Sequence, residues 1–181
     1  MNADRPSRVV LVGFMGAGKS TVGPLVAQRL GWAFLDLDDD IEAAAGRAVP
    51  EIFATDGEAA FRAVERAAAD RAGRRERLVL ATGGGAFTVP ETRRVLQRGA
   101  LTVWLRCALD ALLARIPADG SRPLAANRAT IGPLLAGREP SYALADLTVD
   151  TTHTAPADVA RIIAEAATTR GRKEGGGTTE G

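Results

Sequence analysis

Short apolar runs alternate along the chain with longer segments in which apolar residues recur at helical spacing. The apolar runs have the length of strands and lie at residues 9–12, 33–37, 78–81, 101–105 and 147–149. The helical patterns lie at residues 20–30, 39–45, 58–72, 90–98 and 109–116. Because strands that alternate with helices build crossover units, the pattern predicts an α/β three-layer sandwich with a buried, five-stranded parallel sheet.

Turn signals organise the rest of the chain. Thr55 and Glu58 match a capping box and Gly57 permits a turn, so we expect a helix to begin near Glu58. Residues 117–123 are polar and rich in turn formers, and we expect a lid at about 117–128. Residues 170–181 are Gly-rich and polar, which predicts a disordered tail after a single domain of residues 1–169.

The composition excludes several classes of protein. The hydrophobic content of 46% predicts a folded core, and 23 basic against 22 acidic residues argue against a nucleic-acid binder. No apolar run approaches the ~18 residues of a membrane span, and no signal peptide is recognisable, so we expect a cytoplasmic protein. We expect a monomer because 181 residues suffice for a closed core. Cys107 is the only cysteine and His153 the only histidine, which argues against zinc and predicts a buried thiol and an exposed imidazole.

Residues 13–20, GFMGAGKS, carry the most specific motif. Gly13, four residues, Gly18, Lys19 and Ser20 follow a predicted strand and open a helix, as a phosphate-binding loop requires. Glycines let successive N–H groups turn toward one anion, and the helix N-terminus adds its dipole. Lys19 is expected to reach the terminal phosphates and the Ser20 hydroxyl to hold Mg²⁺. The motif predicts a site for a nucleoside triphosphate.

Acidic residues follow the second predicted strand, in the sequence DLDDD. Alternation along a strand would place Asp36 and Asp38 on one face, near the phosphate loop at the carboxyl edge of the sheet. Asp36 is then a candidate to orient hydrated Mg²⁺, and Asp38 to accept a hydrogen bond from the hydroxyl of an acceptor. The alternative is that the acids only favour the N-terminus of the next helix, which is our interpretation of Asp39 and Asp40.

Three glycines, Gly83, Gly84 and Gly85, follow the third predicted strand. Glycines at the carboxyl end of a strand let a ligand approach the backbone closely. A plain tight turn would use the same residues, and the motif alone leaves both interpretations open.

Arginines are further candidates for contacts with anions. Arg62 lies on a predicted helix, four residues after one glutamate and three before another, so a surface ion-pair ladder is an equal alternative to a binding role. Arg138 precedes Pro140, which we expect to end its helix. Arg122 lies in the expected lid, where it could bring positive charge over the phosphates.

Taken in order, these motifs closely resemble those of the shikimate kinases, small enzymes with a nucleoside-monophosphate-kinase-like fold. The resemblance runs from about Val9 to Ala166 and rests on GFMGAGKST, DLDDDIE, FRAVE, ATGGGA, RPLA and REPSY. It implies Mg²⁺-dependent transfer of the γ-phosphoryl group of ATP to the 3-hydroxyl of shikimate, a step of aromatic amino-acid biosynthesis.

The resemblance also implies roles for individual residues. The implied ATP-binding residues are Gly16, Ala17, Gly18, Lys19, Ser20, Thr21, Arg115 beside adenine, Arg122 on the phosphates and Thr154. The implied shikimate-binding residues are Asp38, Arg62, Glu65, Gly83, Gly84, Gly85 and Arg138. Ser20 and a water held by Asp36 would bind the metal, and Lys19, Asp38 and Arg122 would be catalytic.

Two features leave other functions open. The family often has a bulky apolar residue where this chain has Ser141, and Thr154 matches the adenine loop weakly. The nearest rival is a kinase of the same fold that acts on gluconate or a nucleoside monophosphate, although no aromatic cluster near Arg62 suggests base stacking. A nucleotide-binding regulator is the rival from another class, and the acid and arginine set argues against it.

Overall fold

The computed structural model of the protein describes residues 6–116 and 128–169. Arg122, nearly all of the predicted lid and the predicted tail at 170–181 lie outside the described residues. Within the described ranges, the strands are β1 (Arg8–Val12), β2 (Ala33–Asp36), β3 (Leu78–Ala81), β4 (Ala100–Arg106) and β5 (Leu147–Asp150). The helices there are α1 (Lys19–Leu30), α2 (Leu37–Ala45), α3 (Val49–Gly73), α4 (Pro90–Gln97), α5 (Leu109–Arg115), α6 (Ile131–Tyr142) and α7 (Pro156–Thr169).

All five strands pair in parallel, in the order β2-β3-β1-β4-β5. The central strand β1 is buried along its whole length, with Val10 opposite Leu80 of β3 and Thr102 of β4. Burial on both faces explains why residues 9–12, VVLV, are a continuous apolar run rather than an alternating one. The predicted five-stranded parallel sheet is confirmed.

Helices cover both faces of the sheet. α1 packs against β1, β2, β3 and α7, whereas α4 packs against β4 and α3. The crossovers from β1 to β2 and from β3 to β4 run in opposite directions along the sheet, so the right-handed rule places α1 and α4 on opposite faces. The loops after β1 and β3 therefore diverge, and a crevice forms between them at the carboxyl edge. None of these described helices is long and apolar enough to cross a bilayer.

α3 consists of two helical segments that meet at Gly57, which has φ 83° and ψ 172°. The predicted helix start near Glu58 thus coincides with a real break in the helix. The predicted capping box is wrong, because Thr55 belongs to the preceding helical segment, where its hydroxyl donates to the Glu51 carbonyl at 2.8 Å. A residue that is itself helical cannot serve as the N-cap of the next segment.

α6 continues through Pro140 to Tyr142, so the prediction that Pro140 ends its helix is wrong. A proline removes one backbone donor, and two residues before the end of a helix that loss leaves only the last turn weakened. The helical course keeps Arg138 and Tyr142 four residues apart on one face of α6. α7 and the first segment of α3 were not among the predicted helices, and α6 was expected only as a helix that ends before Pro140.

Candidate active site

A cavity of about 570 Å³ opens in the crevice at the carboxyl edge of the sheet. It is lined by residues 15–22 and 82–84, and by Asp36, Asp38, Asp39, Arg115, Thr151, Thr154, Pro156 and Val159. The cavity thus joins the predicted phosphate loop, the first two acids, two of the three glycines and the predicted adenine residues.

The loop between β1 and α1 turns on glycines with positive φ, namely Gly13 at 144°, Gly16 at 79° and Gly18 at 102°. At position 13 there is also no room for a side chain, since a Cβ there would lie 2.7 Å from the Leu105 carbonyl oxygen. Gly18 is the N-cap of α1 and has no side chain to occupy the helix N-terminus. The loop therefore presents the positive end of α1 to the cavity.

Lys19 folds back across this loop. Its Nζ donates to the carbonyl oxygens of Gly13 at 2.8 Å and Phe14 at 2.9 Å. These hydrogen bonds hold the ammonium group at the cavity wall, where it can exchange carbonyl oxygens for phosphate oxygens.

The Ser20 hydroxyl donates to Asp36 Oδ2 at 2.8 Å. Asp36 is the last residue of β2 and the N-cap of α2, and its Oδ1 accepts a hydrogen bond from the Asp38 backbone N–H at 3.1 Å. Asp38 therefore lies in the first turn of α2 rather than on the strand, so the argument from strand alternation is wrong. Both carboxylates nevertheless line the cavity, because the helix begins at the edge of the sheet.

Each of the three glycines after β3 lies close to a different charged side chain. A Cβ on Gly83 would lie 2.8 Å from Asp38 Oδ1, one on Gly84 would lie 2.9 Å from an Arg138 nitrogen, and one on Gly85 would lie 2.7 Å from an Arg62 nitrogen. All three have ordinary backbone angles, since none is among the glycines with positive φ. Close approach of side chains, and not turn geometry, therefore requires glycine here.

Glu65 is a buried acid, with 1% of its side chain exposed. Its Oε2 accepts a hydrogen bond from Arg62 at 2.7 Å, while Glu58 lies 3.4 Å from the same guanidinium on the exposed side. Burial raises the pKa of Glu65, and the hydrogen bond and charge of Arg62, together with the charge of Arg138, oppose that rise. Arg62 is thus more than a member of a surface ladder, because one of its two partners is inside the protein.

Arg138 lies between two aromatic residues. Its guanidinium carbon is 5.6 Å from the ring centroid of Phe14, which is a buried residue of the phosphate loop. Tyr142, one turn later on α6, is 1% exposed and donates its hydroxyl to the Gly84 carbonyl. Burial raises the pKa of Tyr142 to about 12, against the opposing charge and hydrogen bond of Arg138.

Arg115 closes the opposite end of the cavity. It donates to the carbonyl oxygens of Thr151 at 2.9 Å and Thr152 at 3.0 Å, just before Thr154. Thr151 in turn donates to the Ala17 carbonyl at 3.0 Å, which ties this segment to the phosphate loop. The predicted pair Arg115 and Thr154 therefore shares one wall of the cavity.

Sequence reasoning missed Phe14 and Tyr142, which flank Arg138. Helical spacing between Arg138 and Tyr142 would have been the signal, but the expected stop at Pro140 concealed it. Asp39 also lines the cavity, although it was assigned only to the helix N-terminus. Burial and the neighbouring acid Asp36 raise the pKa of Asp39.

Two side chains outside the predicted site lie as expected. Cys107 is a buried free thiol, and His153 is exposed.

A phosphate loop, a metal-compatible pair of oxygens and a second cationic pocket beside an acid define a phosphate-loop kinase for a small acceptor. Similar proteins identify which one. The sequence model of the family described as shikimate kinase matches residues 15–168. The chain belongs to the shikimate kinase family.

Individual relatives agree with this assignment. A shikimate kinase of Moorella thermoacetica is 46% identical over 163 residues, which cover 89% of this chain and 94% of that protein. The structure of the Acinetobacter baumannii shikimate kinase in complex with shikimate superposes with a TM-score of 0.88 at 36% identity, covering 94% of this chain and 97% of the other. The Aquifex aeolicus shikimate kinase gives a TM-score of 0.81 at 30% identity, covering 91% and 98% of the two chains.

Family membership confirms the predicted class of enzyme, a phosphotransferase that uses ATP and an alcohol acceptor. It supports shikimate kinase over a gluconate or nucleotide kinase and over a nucleotide-binding regulator.

Proposed function

We propose that this chain transfers the γ-phosphoryl group of ATP to the 3-hydroxyl of shikimate, which gives shikimate 3-phosphate and ADP. One observation carries the proposal. Lys19 and Asp38 line the cavity with Gly83 and Gly84. A second cationic group, Arg138 and Arg62, does not line the cavity itself but lies against Gly84 and Gly85, next to it. A kinase for an acceptor that is itself an anion needs this combination, because phosphates and acceptor carboxylate must be held at once.

On the nucleotide side, residues 16–21 bind the phosphates through backbone N–H groups and the helix N-terminus. Lys19 exchanges its bonds to the Gly13 and Phe14 carbonyls for the terminal phosphates. Arg115 and Thr154 lie along the wall assigned to adenine. Arg122 lies outside the described residues, and its contact with the phosphates stays a prediction.

On the acceptor side, Arg62 and Arg138 bind the carboxylate of shikimate. A planar guanidinium offers two parallel donors to a carboxylate, which makes such contacts both strong and directional. Glu65 orients Arg62 through their 2.7 Å hydrogen bond. Gly83, Gly84 and Gly85 leave the space into which the acceptor and these side chains fit.

The residues present fit a magnesium ion. The Ser20 hydroxyl and the Asp36 carboxylate are oxygen donors 2.8 Å apart at the mouth of the loop, and Mg²⁺ favours such oxygen ligands together with phosphates and waters. When bound, the ion neutralises charge that develops on the phosphates.

Asp38 accepts a hydrogen bond from the 3-hydroxyl and directs that oxygen toward the γ-phosphorus. The protein supplies position and charge rather than covalent chemistry, since phosphoryl transfer has a loose transition state. Asp38→Asn keeps the shape but removes the charge, and comparison of its pH–rate profile with that of the wild type tests whether the carboxylate acts in the reaction.

The reaction itself is tested by ADP release from ATP with shikimate, gluconate or AMP as the acceptor. The proposal predicts release that depends on shikimate. Release with gluconate or AMP would identify another kinase, and release with no acceptor would support a regulator with weak ATPase activity.

Arg138→Ala tests the acceptor site. We expect a loss of about 2–4 kcal/mol in shikimate binding, which is the range for a charged pair shielded from water, since the Arg138 side chain is half-buried and the bound acceptor would cover it further. The KM for shikimate should rise far more than the KM for ATP. Arg161→Ala is the matched control, since Arg161 is an exposed arginine that pairs with Asp158 and Glu165 on α7. Equal rises in both KM values would contradict the assignment.

The monomeric state and the cytoplasmic location stay predictions. Light scattering of the purified chain tests the first, and cell fractionation tests the second.

A further inference from the structure

The only tyrosine of the chain, Tyr142, ends α6 with its hydroxyl inside the protein. The hydroxyl donates to the Gly84 carbonyl, although Gly84 lies 58 residues earlier in the sequence. The ring lies 6.0 Å from that of Trp104, measured between centroids. Tyr142 thus connects α6 to the glycine segment that follows β3.

Arg138 reaches the same point. A Cβ on Gly84 would lie 2.9 Å from an Arg138 nitrogen and 3.7 Å from the Tyr142 hydroxyl oxygen, so both groups converge on Gly84. The two residues are one helical turn apart, which places their side chains on the same face of α6. The guanidinium of Arg138 opposes the rise in the pKa of the Tyr142 hydroxyl, as a nearby positive charge does.

A hydroxyl in this position can serve two partners. It donates its hydrogen to the Gly84 carbonyl and can accept one from Arg138. The pKa of Tyr142 is about 12, so the hydroxyl keeps its hydrogen at neutral pH, as an ordinary tyrosine also does. The arginine also lies over the face of Phe14, 5.6 Å from the ring centroid.

We propose that Tyr142 is a positioning residue that sets the direction in which Arg138 meets the carboxylate of the acceptor. The inference rests on the proposed function, which makes Arg138 an acceptor ligand. Tyr142 acts through Arg138 and the Gly84 carbonyl and needs no contact with the substrate. A guanidinium that is free to rotate keeps its planar fork but no longer holds it aligned with the carboxylate, so it loses the directional advantage over a simple cation.

The test is Tyr142→Phe, which removes one oxygen and keeps the ring against Trp104. We expect the KM for shikimate to rise about tenfold, while kcat and the KM for ATP stay within about twofold of the wild type. Thr102→Val is the matched control, because the hydroxyl of Thr102, in β4, is also buried and donates a hydrogen bond, to Asp146 at 2.7 Å. It should lower the melting temperature and leave both KM values unchanged.

A double-mutant cycle separates positioning from packing. If Tyr142 acts through Arg138, then Tyr142→Phe should change the KM for shikimate by less than about twofold in an Arg138→Ala background. A lower melting temperature with unchanged KM would overturn the inference, and so would a tenfold effect that persists without Arg138. Absence of any shikimate-dependent ADP release from the wild-type chain would overturn the proposed function and this inference with it.

Discussion

Gly84→Ala is the sharpest test of the acceptor site, because the added methyl group would contact the guanidinium of Arg138. Its Cβ would lie 2.9 Å from an Arg138 nitrogen, whereas ordinary contacts begin at 3.4 Å. The guanidinium must therefore retreat by about half an ångström. A misplacement of this order lowers kcat/KM for shikimate roughly tenfold, given about a hundredfold for 1 Å. The remaining neighbours, the Tyr142 hydroxyl and the Gly13 carbonyl, lie at ordinary distances of 3.7 and 3.8 Å.

The fold should survive this substitution. The atom that must move is at the end of a flexible side chain, and Gly84 has no positive φ that would strain an alanine. We expect the KM for shikimate to rise about tenfold with little change in the KM for ATP, measured by ADP release with each substrate varied in turn.

Gly137→Ala provides a control one residue from Arg138. A Cβ there would meet nothing within 4 Å, and alanine inside a helix stabilises by about 0.5–1 kcal/mol relative to glycine. It should therefore raise the melting temperature and leave the kinetics unchanged. If Gly84→Ala keeps the wild-type KM for shikimate, or raises the KM for ATP equally, then Arg138 does not bind the acceptor in the way proposed.

Three further substitutions test other parts of the site. Lys19→Met should abolish turnover in a chain that keeps its circular dichroism spectrum, and more than a few per cent of residual activity would refute its role. Asp36→Asn should raise the Mg²⁺ concentration needed for half of the maximal rate, and an unchanged requirement would remove Asp36 from the metal site. Glu65→Gln tests the raised pKa of Glu65. A folded state that binds this proton more tightly than the unfolded state loses stability as pH rises from the ordinary pKa of a glutamate to the raised value. Across that window, the melting temperature should fall with pH more steeply for the wild type than for Glu65→Gln. An equal pH dependence of the two melting temperatures would contradict the raised pKa.

The sheet and the phosphate loop follow from the sequence because both depend on local patterns. All five predicted strands are present, since buried parallel strands need continuous apolar runs such as Leu78–Ala81. The loop needs glycines at fixed offsets, and the positive φ angles of Gly13, Gly16 and Gly18 show the physical reason. Requirements of the local backbone, such as a positive φ angle, can therefore be predicted from a single sequence.

The acceptor side was less predictable because it depends on distant packing. Glu65 has the spacing of a surface ion pair with Arg62, and only the approach of α3 to the glycines after β3 makes it a buried acid. Asp38 reached the site for a reason other than strand alternation, namely the early start of α2 after the N-cap Asp36. The role of Tyr142 was hidden by Pro140, which a helix tolerates near its C-terminus.

Phe14 contacts both Lys19, which is assigned to the phosphates of ATP, and Arg138, which is assigned to the carboxylate of the acceptor. Its carbonyl oxygen accepts a hydrogen bond from Lys19 at 2.9 Å, and its buried ring lies 5.6 Å from the guanidinium of Arg138. A phosphate loop needs glycines and a lysine, but nothing in anion binding requires an aromatic residue at this position. The ring belongs to the hydrophobic core and also lies against the arginine assigned to the acceptor. In the proposed reaction, Lys19 and Arg138 both contact the same buried residue, Phe14. The γ-phosphate and the acceptor carboxylate are therefore positioned relative to a common support. Catalysis that depends on alignment rather than on covalent chemistry gains most from such a shared support.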